Sequence, residues 1–300
     1  MRCLLALFLA TSWMTAAEPE PFDQSKIPIE MLPTDPSLAK VVFVAGLASP
    51  KLKTGEHEYL AGCAALAKLV EQTPGIAAVI VKNGKPTNPE TLHGAKAVVL
   101  FLEGAEAHAA VRFQWVRQID ELAAAGAGIV HLHSAIDYPK DYSERARGWA
   151  GAAWEKGPGA RAHWVAEFDS FPAHPIFRGV GKFKIDDGWL WNNRFVPELK
   201  NVTPLLRTVN PKEAAGKTTK DGSIVAWAFD RPATEGAKAG RSFTFTGGHL
   251  HESLKLESYR RFLVNGILWS AGREIPEAGS PVAVTDAELM RNFDPKPAKK

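Results

Sequence analysis

Residues Gly128 to Asp137 read GIVHLHSAID: a short apolar run that ends in two histidines, His131 and His133, and then turns through small residues. A run of Ile, Val and Leu this short, set off by Gly126 and Gly128 before it and a polar break after it, is the signature of a buried strand in a parallel sheet. In open α/β sheets, ligands bind outside the carboxyl ends of the strands, which is where His133 falls. His131, two residues earlier on the same strand, points the same way but deeper, which suits a buried hydrogen-bonding role.

Working outward, the same strand grammar recurs. Val41 to Gly46 (VVFVAG), Ala77 to Val81 and Ala97 to Leu102 (AVVLFL) are further buried-strand candidates. Tyr59, Cys63, Leu66 and Val70 fall at helical spacing after the first, and Val111, Trp115, Ile119 and Leu122 before the opening stretch. Strand, helix, strand, strand, helix, strand is the order of a doubly wound parallel sheet with helices on both faces. Past Asp137 the pattern predicts a helix over Lys140 to Trp154, and then a β-rich insertion. Its strands are Arg161 to Asp169, Lys182 to Asn193 with a turn at Asp186-Asp187-Gly188, and Val202 to Val209, followed by a hairpin-like pair over Ser223 to Phe229 and Arg241 to Thr246. Tyr259 to Ser270 closes the domain as a helix.

The ends of the chain read differently. Arg2, an apolar segment from Cys3 to Met14 and the small residues Thr15-Ala16-Ala17 form the pattern of a secretory signal peptide over residues 1–17, too short for a mature membrane span. The mature chain is thus expected to be periplasmic or secreted, with no membrane insertion. Its one remaining cysteine, Cys63, allows no intrachain disulfide and sits on the apolar face of its helix, a packing position rather than that of a nucleophile. Residues 18–40 carry five prolines and read as an extended lead-in, 41–276 as the domain, and 277–300 as a polar, mobile tail. A formal net charge of +3, part of it in the terminal lysines, gives no basic field for nucleic acid.

His57, His108, His133, His249 and His251 all follow the carboxyl ends of expected strands, whereas His93, His163 and His174 do not. Glu56, Glu58, Glu103, Asp137 and Glu252 lie beside the first group. Imidazole and carboxylate together suit zinc or another divalent ion, and the same groups serve as general acid and base. For one ion to join His57, His133 and His249, their rings must come well within about 10 Å, since metal to nitrogen distances are about 2 Å. HExxH, CxxC, GxSxG, Walker and GxGxxG motifs are absent, which disfavours phosphate and dinucleotide chemistry.

The ordered set VVFVAG, GEHEYLAGCAALAKLV, GIVHLHSA, HPIFRGV, FTFTGGHLH and YRRFLVNGILWSAGREIP resembles the ThuA-like (trehalose utilisation) family, over about Val41 to Pro276. That resemblance implies a flavodoxin-like sheet of the class I glutamine amidotransferase-like group. His133 would stand where true amidotransferases carry a nucleophilic cysteine, so glutamine amidotransfer is not expected. It also implies carbohydrate catabolism, with a sugar or 3-keto-glycoside as small-molecule partner. Departures are Pro50 and Asn192 where relatives carry histidine, and Asp187-Gly188 where relatives often show Asp-Glu.

Two classes of function follow. In the first, a metal-assisted hydrolase or lyase, His57, His133 and His249 are ligands, or His133 and His249 an acid/base pair. Glu103 or Asp187 is then the carboxylate, and His108, Trp189 and His251 face substrate. In the second, the protein binds a carbohydrate or a partner without turnover.

Overall fold

In the computed structural model, residues 21–213 and 217–296 are described; the expected signal segment, 1–17, lies outside them. The strands are β1 Ala39–Ala45, β2 Ile76–Val81, β3 Ala97–Phe101, β4 Gly128–Leu132, β5 Ala152–Ala153, β6 Ala160–Phe168, β7 Phe183–Trp191, β8 Arg194–Phe195, β9 Val202–Arg207, β10 Ile224–Arg231 and β11 Gly240–Phe245. The helices are α1 Tyr59–Val70, α2 Ala109–Arg112, α3 Val116–Ala124, α4 Ser143–Ala150, α5 Glu257–Ser270 and α6 Asp286–Leu289. Seven strands form one sheet in the order β2-β1-β3-β4-β11-β10-β9. The pairs from β2 to β11 are parallel, while β10 runs antiparallel to both its neighbours. β2-β1-β3-β4-β11 is the flavodoxin-like strand order, with the order of strands reversing at the switch point between β1 and β3.

Alternation along the strands divides the core into layers. Val41, Phe43 and Ala45 pack with Cys63, Leu66, Phe262 and Leu263 of α1 and α5, whereas Val42 and Val44 pack with Trp115, Ile119 and Leu122 on the other face. Each such side chain, removed from water, contributes roughly 1.5–3 kcal/mol. Cys63 is fully buried, and burial pushes its thiol far above the ordinary range, as a packing residue requires.

Several elements depart from expectation. The helix expected over Val111 to Leu122 breaks at Gln114 (φ +60°), and the Trp115 indole N–H donates to the Gly84 carbonyl at 2.9 Å, fixing the break. α4 ends at Gly151 (φ +79°), where a Cβ would stand 2.8 Å from Val202, and a short strand follows instead of more helix. Asp186-Asp187-Gly188 is not a turn: β7 runs straight through it, paired in antiparallel register with β6, His163 opposite Gly188 and Trp164 opposite Asp187. Residues 277–296 are packed rather than loose. Val282, Leu289 and Phe293 are buried, and Thr285 and Glu288 form a reciprocal capping box on α6. Among the described residues, no helix is long and apolar enough to cross a membrane.

Candidate metal centre

The loops after β1, β3, β4 and β11 converge at the carboxyl edge of the sheet. β4 ends at Leu132 and the chain turns at His133 with φ +55°, a left-handed conformation that costs of order 1–3 kcal/mol for a non-glycine residue and is retained where the surroundings enforce it. Its Nδ1 lies 3.0 Å from the Thr246 carbonyl. A carbonyl only accepts, so Nδ1 carries the proton and Nε2 holds a lone pair facing the crevice.

His57 is also left-handed, at φ +49°. Its N–H donates to the His249 carbonyl at 3.0 Å, and a β-bridge joins Glu56 to Leu250, so the loop after β1 is stitched to the loop after β11. The His57 Nδ1 is 2.7 Å from the Tyr59 hydroxyl and 3.1 Å from Glu103 Oε2, and the Tyr59 hydroxyl donates to the same carboxylate at 3.2 Å. Because Glu103 only accepts, its proximity places a proton on Nδ1 and turns the His57 Nε2 lone pair inward. The two Nε2 atoms then meet at 2.9 Å.

His249 completes the group, with ring centroids 4.5 Å from His57 and 5.3 Å from His133. Its loop is held by Asp187, which is fully buried. Oδ1 accepts from the N–H groups of Gly188 and His249, both at 2.8 Å, and of Leu250 at 3.3 Å; Oδ2 accepts from Gly248 at 2.7 Å. Burial pushes the Asp187 carboxyl up to about 7, with the backbone N–H donors pulling it down. Asp187 therefore reaches the site through the His249 backbone. Gly188 beside it leaves the space that the ring needs: a Cβ there would stand 2.9 Å from His249 Cβ and 3.1 Å from His163 Cε1.

One ligand atom from each of His57, His133 and His249 lies within 4.8 Å of the others, so the buried triad can hold a metal ion. Two like lone pairs at 2.9 Å need a cation between them, a proton or a metal. Tetrahedral ligation at about 2.0–2.1 Å per nitrogen puts ligand nitrogens about 3.3 Å apart, within small ring movements of the observed positions. The partners on Nδ1, Thr246 and Glu103, are the outer-shell acceptors that orient ligating histidines. Burial, reinforced by the neighbouring imidazoles, holds His133 well below the ordinary histidine range and His249 down at about 4, which keeps lone pairs available. Burial also opposes charge on Glu103, but hydrogen bonds from His57 and Tyr59 hold its carboxyl below the usual value.

The remaining expected site residues are placed elsewhere. His108 is fully buried, stacked at 3.9 Å on Tyr138 with Nε2 on the Ala135 carbonyl. Trp189 is 1% exposed and its indole donates to the Trp164 carbonyl. His251 places Nε2 2.8 Å from the Leu289 carbonyl, edge-on to Phe293. These three side chains pack the fold and bond main-chain oxygens instead of presenting a face to substrate. His131 lies 3.0 Å from the Tyr138 hydroxyl, buried as expected. Asn192 spends its amide on Lys217 and Thr219. Conversely, sequence reasoning passed over Tyr59, read only as helix core, and exposed His163, whose ring centroid is 4.4 Å from that of His249. Arg161 also stands at the rim, paired with Asp137 and lying 4.2 Å over the Trp154 ring.

The family model described as trehalose utilisation, ThuA, matches residues 50–270. The chain belongs to the ThuA family. Among solved structures, a ThuA-like protein from Bacteroides uniformis ATCC 8492 is similar at a TM-score of 0.52 and 14% identity, covering 84% of this chain and 98% of that one. A second, from Parabacteroides merdae ATCC 43184, gives a TM-score of 0.52 and 14% identity over 85% and 99% of the two chains. At that identity the likeness speaks for the fold. No curated protein matches the sequence.

Proposed function

We propose that this ThuA-family protein is an exported, metal-assisted hydrolase or lyase of carbohydrate catabolism, acting on a sugar or 3-keto-glycoside, with zinc held by His57, His133 and His249. The observation that carries the reading is the pairing of each Nδ1 with an oxygen, Thr246 for His133 and Glu103 for His57, which turns both Nε2 atoms to one point. Held by His57, His133 and His249, zinc would supply Lewis-acid polarisation of a substrate oxygen and activation of water. Glu103, whose side chain keeps 33% of its surface open, accepts or returns a proton at its carboxylate oxygen, while Tyr59 and His57 hold that carboxylate in place. Membership of the trehalose-utilisation family supports a carbohydrate as substrate.

The test is elemental analysis of purified mature protein, joined to a screen on oxidised disaccharides with and without chelator. About one equivalent of zinc and chelator-sensitive product formation are expected. A second reading, carbohydrate binding without turnover, draws on how closed the triad is, each ring residue being at most 9% exposed. Sugar binding by calorimetry that chelator leaves unchanged, with no product, decides for it.

A further inference from the structure

The closing segment 294–296 reaches back across the molecule to the loop that presents His57. Glu58, next to His57, has a side chain with no exposed surface, and it pairs at 2.8 Å with Lys296, whose side chain is 2% exposed. The ammonium has three donors, and each has an acceptor: Glu58 Oε1, the Lys53 carbonyl at 3.1 Å and the Glu56 carbonyl. Glu58 in turn accepts from the Gly55 N–H at 2.8 Å through Oε1 and from the Asp294 N–H at 2.8 Å through Oε2. Loop 53–58 is thus wrapped around one buried cation that it does not itself supply.

We propose that Lys296, through Glu58, is a positioning residue for the metal site: the closing segment clamps the loop after β1 and so sets where His57 stands. This rests on the metal reading of the triad. His57 keeps a left-handed backbone only if its flanks are fixed, and the Glu56 carbonyl and the Glu58 carboxylate on either side of it are both held by Lys296. A buried ion pair is a weak source of net stability compared with apolar packing, so what this one contributes is geometry. The segment has its own anchor, since Gln24 Nε2 donates to Asp294 Oδ1 at 2.9 Å and to the Asn292 carbonyl at 3.1 Å. It lies beyond the 50–270 span matched to the family.

The experiment compares the full chain with Lys296→Met and with Lys68→Met, which breaks the exposed Lys68–Glu288 pair on the same closing region without touching the loop. Amide hydrogen exchange over residues 53–58 and Co2+ binding by absorbance are read on each. Lys296→Met should speed exchange in 53–58 at least tenfold, leave β1 unchanged, weaken Co2+ at least tenfold and alter the d–d spectrum of the loaded protein. Lys68→Met should change none of these. If Lys296→Met does not fold, Glu58→Gln/Lys296→Gln removes the charges together and is read in its place. Unchanged exchange over 53–58 overturns the clamp. Failure of the unaltered protein to bind Co2+ overturns the metal reading instead, with exchange still deciding the clamp.

Discussion

The Nε2 atoms of His57 and His133 stand 2.9 Å apart, although His57 comes from the loop after β1 and His133 from the turn after β4. Those strands are separated in the sheet by β3, which contributes Glu103 from its own end. Three neighbouring strand ends therefore supply one imidazole of the candidate site, the carboxylate hydrogen-bonded to it and a second imidazole. β11, on the far side of β4, supplies His249.

Removing one imidazole of the triad should abolish metal binding. His133→Ala is expected to abolish binding of a divalent ion, measured as metal content after dialysis, while circular dichroism shows an intact fold. His108→Ala, at a residue outside the triad, should retain full metal content. Stoichiometric metal in His133→Ala would sink the triad as the site.

Asp187→Asn tests whether the buried carboxylate shapes the His249 loop. An amide keeps one accepting oxygen, but its NH2 turns a donor toward a backbone N–H that had an acceptor. Leaving such a buried donor unsatisfied costs about 1–3 kcal/mol. Urea unfolding should show a loss of that order, and Co2+ affinity should drop with it. A variant that loses stability but binds Co2+ with unchanged affinity would separate Asp187 from the metal.

The flavodoxin-like sheet was legible because each central strand is a short apolar run bounded by turn residues, and buried parallel strands have to look that way. The triad was legible for the same reason, as histidines just past strand ends. His108 and His251 share that position in sequence yet fold away, because a side chain only a few residues beyond a strand can turn to either face of the sheet. Nothing in their local pattern distinguishes His133, whose left-handed turn aims it at the crevice, from His108, which stacks on Tyr138. Asp187-Gly188 imitated a turn because its sequence is a turn sequence. The N–H donors that satisfy the Asp187 carboxylate within the strand come from residues 188 and 248–250, most of them remote in sequence. The Glu58–Lys296 pair spans 238 positions, so no local reading reaches it.

Gly188→Ala should displace His249. The added Cβ would meet His249 Cβ at 2.9 Å and Cγ at 3.0 Å, contacts too tight to keep, and the neighbouring His163 ring at 3.1 Å closes the way out. Since β7 is a regular strand at this point, alanine suits the backbone, so the fold should tolerate the change better than the site does. The expected result is a tenfold or greater loss of Co2+ affinity with a small shift in melting temperature. Unchanged affinity would mean that His249 has room to move and still ligate.

Acid should unfold the protein through its buried histidines. Burial holds His108 and His131 down at about 3 and drives His133 in the same direction, so in the folded state they stay neutral where an unfolded chain, with pKa values near 6.5, is charged. Their contribution to stability is fully present above pH 6.5 and is lost as pH falls toward 3. Asp187 works against them: raised to about 7, it binds its proton in the folded state first, and its contribution grows as pH falls from 7 toward 4. Between pH 6 and 4, the fully buried His108 and His131 alone outweigh that one carboxyl by about one proton, a slope near 1.4 kcal/mol per pH unit. Urea midpoints across this range should fall with decreasing pH. His108→Phe, which keeps the stacking on Tyr138 but cannot take up a proton, should flatten the dependence by about one proton, and an unchanged slope would show that His108 is not neutral for the reason given.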